Sequence, residues 1–162
     1  MSIKRYTASA DTTITNAFEA GLTTRGTGSN MGYADSLEVF SIYGQLSAST
    51  ALADGSNTIG RGQSQELSRI LINFPVDSIS ADRTAGRIPA LGSVSFFMRM
   101  YHAQTPFTLP QDFNLVVAPV SRSWVEGSGL DMDNYKDLGN ANWMNASTAA
   151  WTTVGGDYFT GS

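Results

Sequence analysis

The sequence predicts an all-β fold, a jelly-roll-like antiparallel β-sandwich with long loops, and three observations carry that expectation. Charged residues make up only 15% of the chain while Gly, Ser, Thr and Asn are abundant, a balance poor for exposed helices and suited to short strands joined by turns. Several segments alternate in polarity with a period of two, the pattern of a sheet with one face in a core. Long amphipathic helices are hard to find. At 162 residues the chain has the size of a single domain, 1–162, able to bury roughly two-thirds of its unfolded surface without disulfide or metal staples.

The elements follow in order. Thr12, Thr13, Ile14 and Thr15 form a first strand. A turn-rich stretch over 25–32 leads into a second strand over 37–43. The third, over 68–74, places Ile70, Ile72 and Phe74 on one face and Arg69, Leu71 and Asn73 on the other, and Pro75 stops it. In 93–101, Val94, Phe96, Met98 and Met100 alternate with Ser95, Phe97, Arg99 and Tyr101. The stretch 113–120 is nearly continuous apolar sequence, consistent with a central strand that ends or bulges at Pro119. Polar connections over 45–66, 77–91 and 127–142 exceed ordinary hairpin loops and are candidate functional or assembly surfaces. A short helical turn is expected only over 130–138.

Several classes of chemistry are disfavoured by composition. Ten basic and fourteen acidic residues give a formal charge of −4, and the basic residues are scattered singly, which argues against nucleic acid as a partner. The chain has no cysteine, so disulfides, thiolate metal sites and a cysteine nucleophile are excluded. No segment approaches the ~20 apolar residues that span a bilayer, and Lys4 and Arg5 have no apolar stretch behind them; neither membrane insertion nor a signal peptide is expected. His102 is the only histidine, and no Gly-x-Ser-x-Gly elbow accompanies it. Glu19, Glu38, Glu66 and Glu126 are available to a glycosidase, which needs two carboxyl groups about 5–10 Å apart, but their spacing gives no support. Gly26, Gly28 and Gly32 precede a strand, the wrong order for a phosphate cradle. A non-enzyme is expected.

Two constellations remain. Asp131, Asp133 and Asp137 supply hard oxygen ligands at alternate positions, a candidate calcium loop. It matches an EF-hand poorly: Tyr135 takes the fifth position, Lys136 replaces the glycine and Asn142 stands where a bidentate Glu belongs. No other cofactor is implied. The C-terminal third concentrates aromatics, Trp124, Trp143, Trp151, Tyr135 and Tyr158, which serve either as core or as stacking platforms for sugar rings. Trp124, directly after a buried strand, reads as core, whereas Trp143, Trp151 and Tyr135, with Arg122, are candidates to contact a glycan or a protein partner.

Motifs matching in order are Ala10-Asp11-Thr12-Thr13-Ile14, Asn30-Met31-Gly32 with Asp35-Ser36-Leu37-Glu38-Val39, the 68–74 stretch, and 116–124 closing on Trp124-Val125-Glu126. In these the chain resembles the DNRLRE family of β-sandwich modules over most of its length. That resemblance implies a module of the kind appended to extracellular bacterial enzymes, some relatives of which bind acidic polysaccharides such as alginate. A narrower resemblance, in 22–32, 37–45 and 151–158, is to virion structural proteins of marine tailed phages. It implies a non-catalytic capsid decoration, tail or fibre component, assembled in the host cytoplasm and located in the virion. Its partners would be other virion proteins or further copies. The alternative is a carbohydrate-binding module for an acidic or cell-surface polysaccharide. Proteins of this type run on past the region of Gly155 and Tyr158, so the expected sandwich lacks its final strands or takes them from a neighbouring subunit.

Overall fold

A computed structural model describes residues 3–20, 23–45, 63–106, 108 and 112–159, with the backbone alone for 43–45, 63–65 and 133–135. The fold is all-β. Its described strands are β1 (Ala10–Thr15), β2 (Ser29–Asn30), β3 (Ser41–Gln45), β4 (Gln63–Asn73) and β5 (Asp131–Lys136), with one short helix, α1 (Val76–Thr84). One sheet has the order β1-β4-β3 and the other pairs β2 with β5. β3 and β4 run antiparallel, from Ser41 opposite Leu67 to Gln45 opposite Gln63. The chain divides into two compact units, one of 1–10 and 72–117, the other of 11–71 and 118–162.

In the second unit the core gathers Ile14, Leu71, Ala141, Trp143, Ala146 and Trp151, with Leu67, Val120 and Trp124 packed against it. Thr12, Thr13, Ile14 and Thr15 are all buried, so β1 is covered on both faces although three of the four are polar. Their hydroxyls are used as fasteners. Thr12 Oγ1 accepts from Met31 N at 3.2 Å, Thr13 Oγ1 from Glu38 N at 3.0 Å, and Thr15 Oγ1 donates to Leu67 O at 2.8 Å while accepting from Ala17 N. Buried hydroxyls are tolerated when so partnered, and here they attach the following loops to the first strand.

Asn30 extends this pattern. Its buried carboxamide donates through Nδ2 to Glu126 O and Ala141 O, both at 2.6 Å, with a longer contact to Thr12 Oγ1 at 3.2 Å. Its Oδ1 accepts from Gly32 N at 2.9 Å and Gly129 N at 3.0 Å. The glycines around it leave the room: a Cβ on Gly32 would lie 2.5 Å from Glu126 O, and one on Gly127, whose φ is +85°, 2.5 Å from Asn30 Oδ1. The motif Asn30-Met31-Gly32 is therefore a side-chain staple with its clearance built in.

Four expectations are corrected. Residues 93–101 and 113–117 form no ladder among the described residues and are largely exposed, because alternation supplies strand propensity but a strand also needs a partner. The end of the latter stretch does pair: Val120 bridges Tyr158, and Phe159 N donates to Pro119 O at 2.9 Å. The expected helical turn over 130–138 is instead β5. Ser29 pairs with Lys136 and Asn30 with Asp131, so 132–135 bulge from the ladder. The connection 77–91 contains α1, which Pro75 precedes, with Asp77 in its first turn and Arg83 in its last, the charge order a helix dipole favours. Finally, the second strand begins at Ser41 rather than 37, since Ser68 Oγ, donating to Glu38 O and accepting from Phe40 N, ties that stretch down in place of a ladder. Of the connection 45–66, residues 46–62 lie outside the described residues.

In the first unit Asp82, the buried residue of α1, receives Tyr6 Oη at 2.6 Å and Arg87 Nε at 2.6 Å and pairs with Lys4. Ser9 N donates to Asn73 O at 2.8 Å, so residues 4–9 are strapped down at both ends. Lys4 first, then Tyr6 and Arg87, hold the Asp82 carboxyl far below the usual carboxylate range.

Two predictions follow from these fasteners. Asn30→Ala strands two buried N–H groups and two carbonyls at once, and should cost about 3–5 kcal/mol in urea unfolding at neutral pH; a loss under about 1 kcal/mol would mean the staple is redundant. For Asp82, the unfolded chain takes up a proton near pH 4 while the folded carboxyl stays ionised, so the stability supplied by its partners is complete above about pH 5 and drains as pH falls toward the folded value. The gap in urea midpoint between wild type and Asp82→Asn should therefore shrink from about pH 7 to about pH 3, and a gap that stays constant contradicts the linkage.

Candidate functional site

Two of the aromatic candidates, Trp143 and Trp151, go to the core. Trp143 is 7% and Trp151 5% exposed. Trp151 Nε1 donates to Asn142 O at 2.8 Å, and the buried Asn142 carboxamide in turn binds Asp137 O, Met144 N and Asn145 N. Arg69 lies against both Trp143 and Tyr158, its guanidinium 5.0 and 5.1 Å from the ring centroids, and donates to Gly155 O. Gly155 has φ of +88°, and a Cβ there would sit 2.9 Å from both Arg69 Nη1 and Trp143 Cζ2. A ring so covered does not present a face to a sugar, and this placement removes Trp143 and Trp151 as stacking platforms of the folded chain.

Arg122 is partly exposed and internally engaged: Nη1 donates to Ala150 O at 2.7 Å and lies 3.6 Å from Asp157 Oδ2. The amides of Thr152 and Thr153, before Arg122, hold the Asp157 carboxyl below its ordinary range. The side chains of Tyr135 and Asp133 lie outside the described residues. Asp137 accepts from Asn140 Nδ2 at 2.6 Å and Ser128 N at 3.3 Å, closing the turn after β5, while Asp131 lines a separate cleft. Among the described residues no group of three or more acidic, histidine or cysteine side chains is arranged to hold a metal ion.

The glutamates serve the frame. Glu66 Oε2 accepts from Phe18 N at 2.9 Å, Glu126 Oε1 from Asp11 N at 2.7 Å, and Glu19 pairs with Lys136 at 3.2 Å. Burial, then the neighbouring Glu126 charge, raises the Asp11 carboxyl above its usual value. His102 is exposed.

Two surface features are left. One is the pair of extended segments in the first unit, where Phe97 is 88% and Val116 94% exposed, with Phe96, Tyr101, Phe113 and Val117 also open to solvent. The other is an open surface cleft of about 530 Å³ in the second unit. It is lined by Met31, Tyr33, Asp35, Glu38, Leu130 and Asp131, among others. The sequence reading missed this cleft, because its two walls come from segments almost a hundred residues apart; the one available signal was the acidic and aromatic run that follows the Asn30 staple. No family model, curated protein or solved structure matches the chain.

The burial of Trp143 separates its two readings by experiment. As a core residue, Trp143→Ala should cost about 3–5 kcal/mol in urea unfolding. A surface stacking platform would show a change within about 0.5 kcal/mol.

Proposed function

We propose that this protein is a non-catalytic structural or adhesion component that acts through protein–protein contacts, in keeping with the virion setting its sequence resemblance implies. The exposed apolar segments 93–101 and 113–117 carry this reading. An extended chain with alternating side chains and no ladder is a template for strand addition, and contiguous apolar exposure on a folded protein marks an interaction surface. Self-association is the simplest completion. Two identical segments related by a two-fold axis pair antiparallel with matched alternation, so one sequence satisfies both sides of the contact. In this reading added strands close the sandwich, and neighbouring particle proteins dock on the same edge. The burial of Trp143 and Trp151 withdraws the aromatic support for the glycan-binding alternative.

Light scattering on the purified chain should give a discrete oligomer whose mass is unchanged by chelator. Phe97→Lys combined with Val116→Lys places charge at two exposed sites and should reduce that mass to the monomer, leaving an unfolding midpoint that no longer rises with protein concentration as that of the wild type does. A wild-type monomer at all concentrations, or an oligomer indifferent to both substitutions, would contradict the reading.

A further inference from the structure

We propose that residues 93–101 pair with the same residues of a second copy in one register, antiparallel and centred on Phe97. The inference rests on the self-association proposed above and names the segment and the residue pairs that carry it. The backbone of this segment is open. Ser93 N donates to Ala90 O at 3.1 Å and Gly92 has φ of +87°, which together close a turn just before the segment. From 94 to 101 no backbone group is hydrogen-bonded among the described residues. The side chains are open as well: Phe96, Phe97, Met98, Met100 and Tyr101 are exposed and Val94 is half-buried. A chain with both its edge and its faces uncovered is a strand without a partner.

Symmetry removes most registers. A two-fold axis relating neighbouring antiparallel strands stands perpendicular to their sheet, so a side chain and its symmetry mate lie on the same face. Residues directly opposite each other also share a face. Residues of like parity must therefore oppose, and the axis passes through a residue pair and not between two pairs. Val94, Phe96, Met98 and Met100 make up the apolar face, and that set is symmetric about Phe97 alone. Centred there, Val94 faces Met100 and Phe96 faces Met98, while on the reverse Ser93 faces Tyr101, Ser95 faces Arg99 and the two Phe97 rings meet. Moving the centre to Met98 sets Val94 opposite the exposed His102, and moving it to Phe96 sets Met100 opposite Gly92, in the left-handed turn. Moving it to Arg99 opposes two guanidinium groups, which is destabilising. Arg99 lies 5.0 Å from the ring centroid of its own Tyr101, and in the Phe97 register it meets a small hydroxyl instead of a like charge. A foreign strand would need the same alternation with a small polar residue at that one position; a second copy supplies both by symmetry.

The chain has no cysteine, so introduced thiols report the register without background. Opposed residues of an antiparallel pair have Cα atoms about 4.5–5.5 Å apart, within the ~4.4–6.8 Å that a disulfide spans, whereas an offset of four residues separates them by about 13 Å. The test is mild oxidation of the full chain carrying Ser95→Cys, Arg99→Cys or an equal mixture of the two, read on a non-reducing gel, with light scattering of the same samples in reductant. Both positions are exposed, and neither substitution touches Phe97. The mixture should give roughly tenfold more linked dimer than either variant alone, and Phe97→Cys by itself should link to its own copy. An oligomer in which the mixture links no better than the single variants overturns this register and leaves self-association standing. Monomers in every reduced sample, the wild type included, overturn both.

Discussion

The second unit depends on one buried carboxamide. Asn30 bonds to backbone groups of Gly32, Glu126, Gly129 and Ala141 and to the hydroxyl of Thr12, so segments from four parts of the sequence meet at one planar group. A Leu in its place could fill the volume but could not satisfy those N–H and C=O groups, and each one left buried and unpaired costs about 1–3 kcal/mol. An Asp would keep the acceptor and lose the donors. Only a side chain with both functions at that length closes the set, and Gly32, Gly127 and Gly129 are the small residues that let the backbone approach it.

Around that centre the unit is specified more by directed hydrogen bonds than by bulk. Its buried apolar cluster is modest, whereas Thr12, Thr13, Thr15, Asn30, Ser68 and Asn142 are all buried and bonded. Fully satisfied polar groups fix a unique arrangement because every alternative leaves some of them unpaired. The consequence reaches the surface. The cleft walls are the direct continuation of the Asn30 staple, so the geometry of an exposed site is inherited from a buried one, and a substitution at Asn30 would disturb the cleft without touching it.

The period-two pattern made β4 legible, the Thr12–Thr15 run marked β1 without alternating, and the run of Gly, Ser and Asn before residue 33 announced a turn region. The pattern also overreached: 93–101 and 113–117 alternate as well as any strand, yet alternation reports what a segment is able to do and not whether a partner is at hand. α1 escaped because its one buried side chain is the charged Asp82, so no apolar periodicity marked it. Trp143 and Trp151 looked half-exposed in polar sequence; the polar neighbour is Asn142, whose buried carboxamide bonds Asn140 O, Met144 N and Asn145 N while its backbone carbonyl accepts from Trp151 Nε1. The cleft was hidden because Asp131 reaches it only through pairing with Asn30, and no local window contains that contact.

The two units thus manage their unpaired groups in opposite ways. In the second, loops are tied to strands by side chains, and even Ser68 substitutes for missing ladder bonds by holding Glu38 and Phe40. In the first, the tie is concentrated in Asp82 and the 4–9 strap, while the apolar segments beyond α1 have exposed side chains and form no ladder among the described residues. Exposed Phe, Val and Met in such number are unfavourable in water by about 25 cal/mol per Å², a cost that burial against another chain would recover.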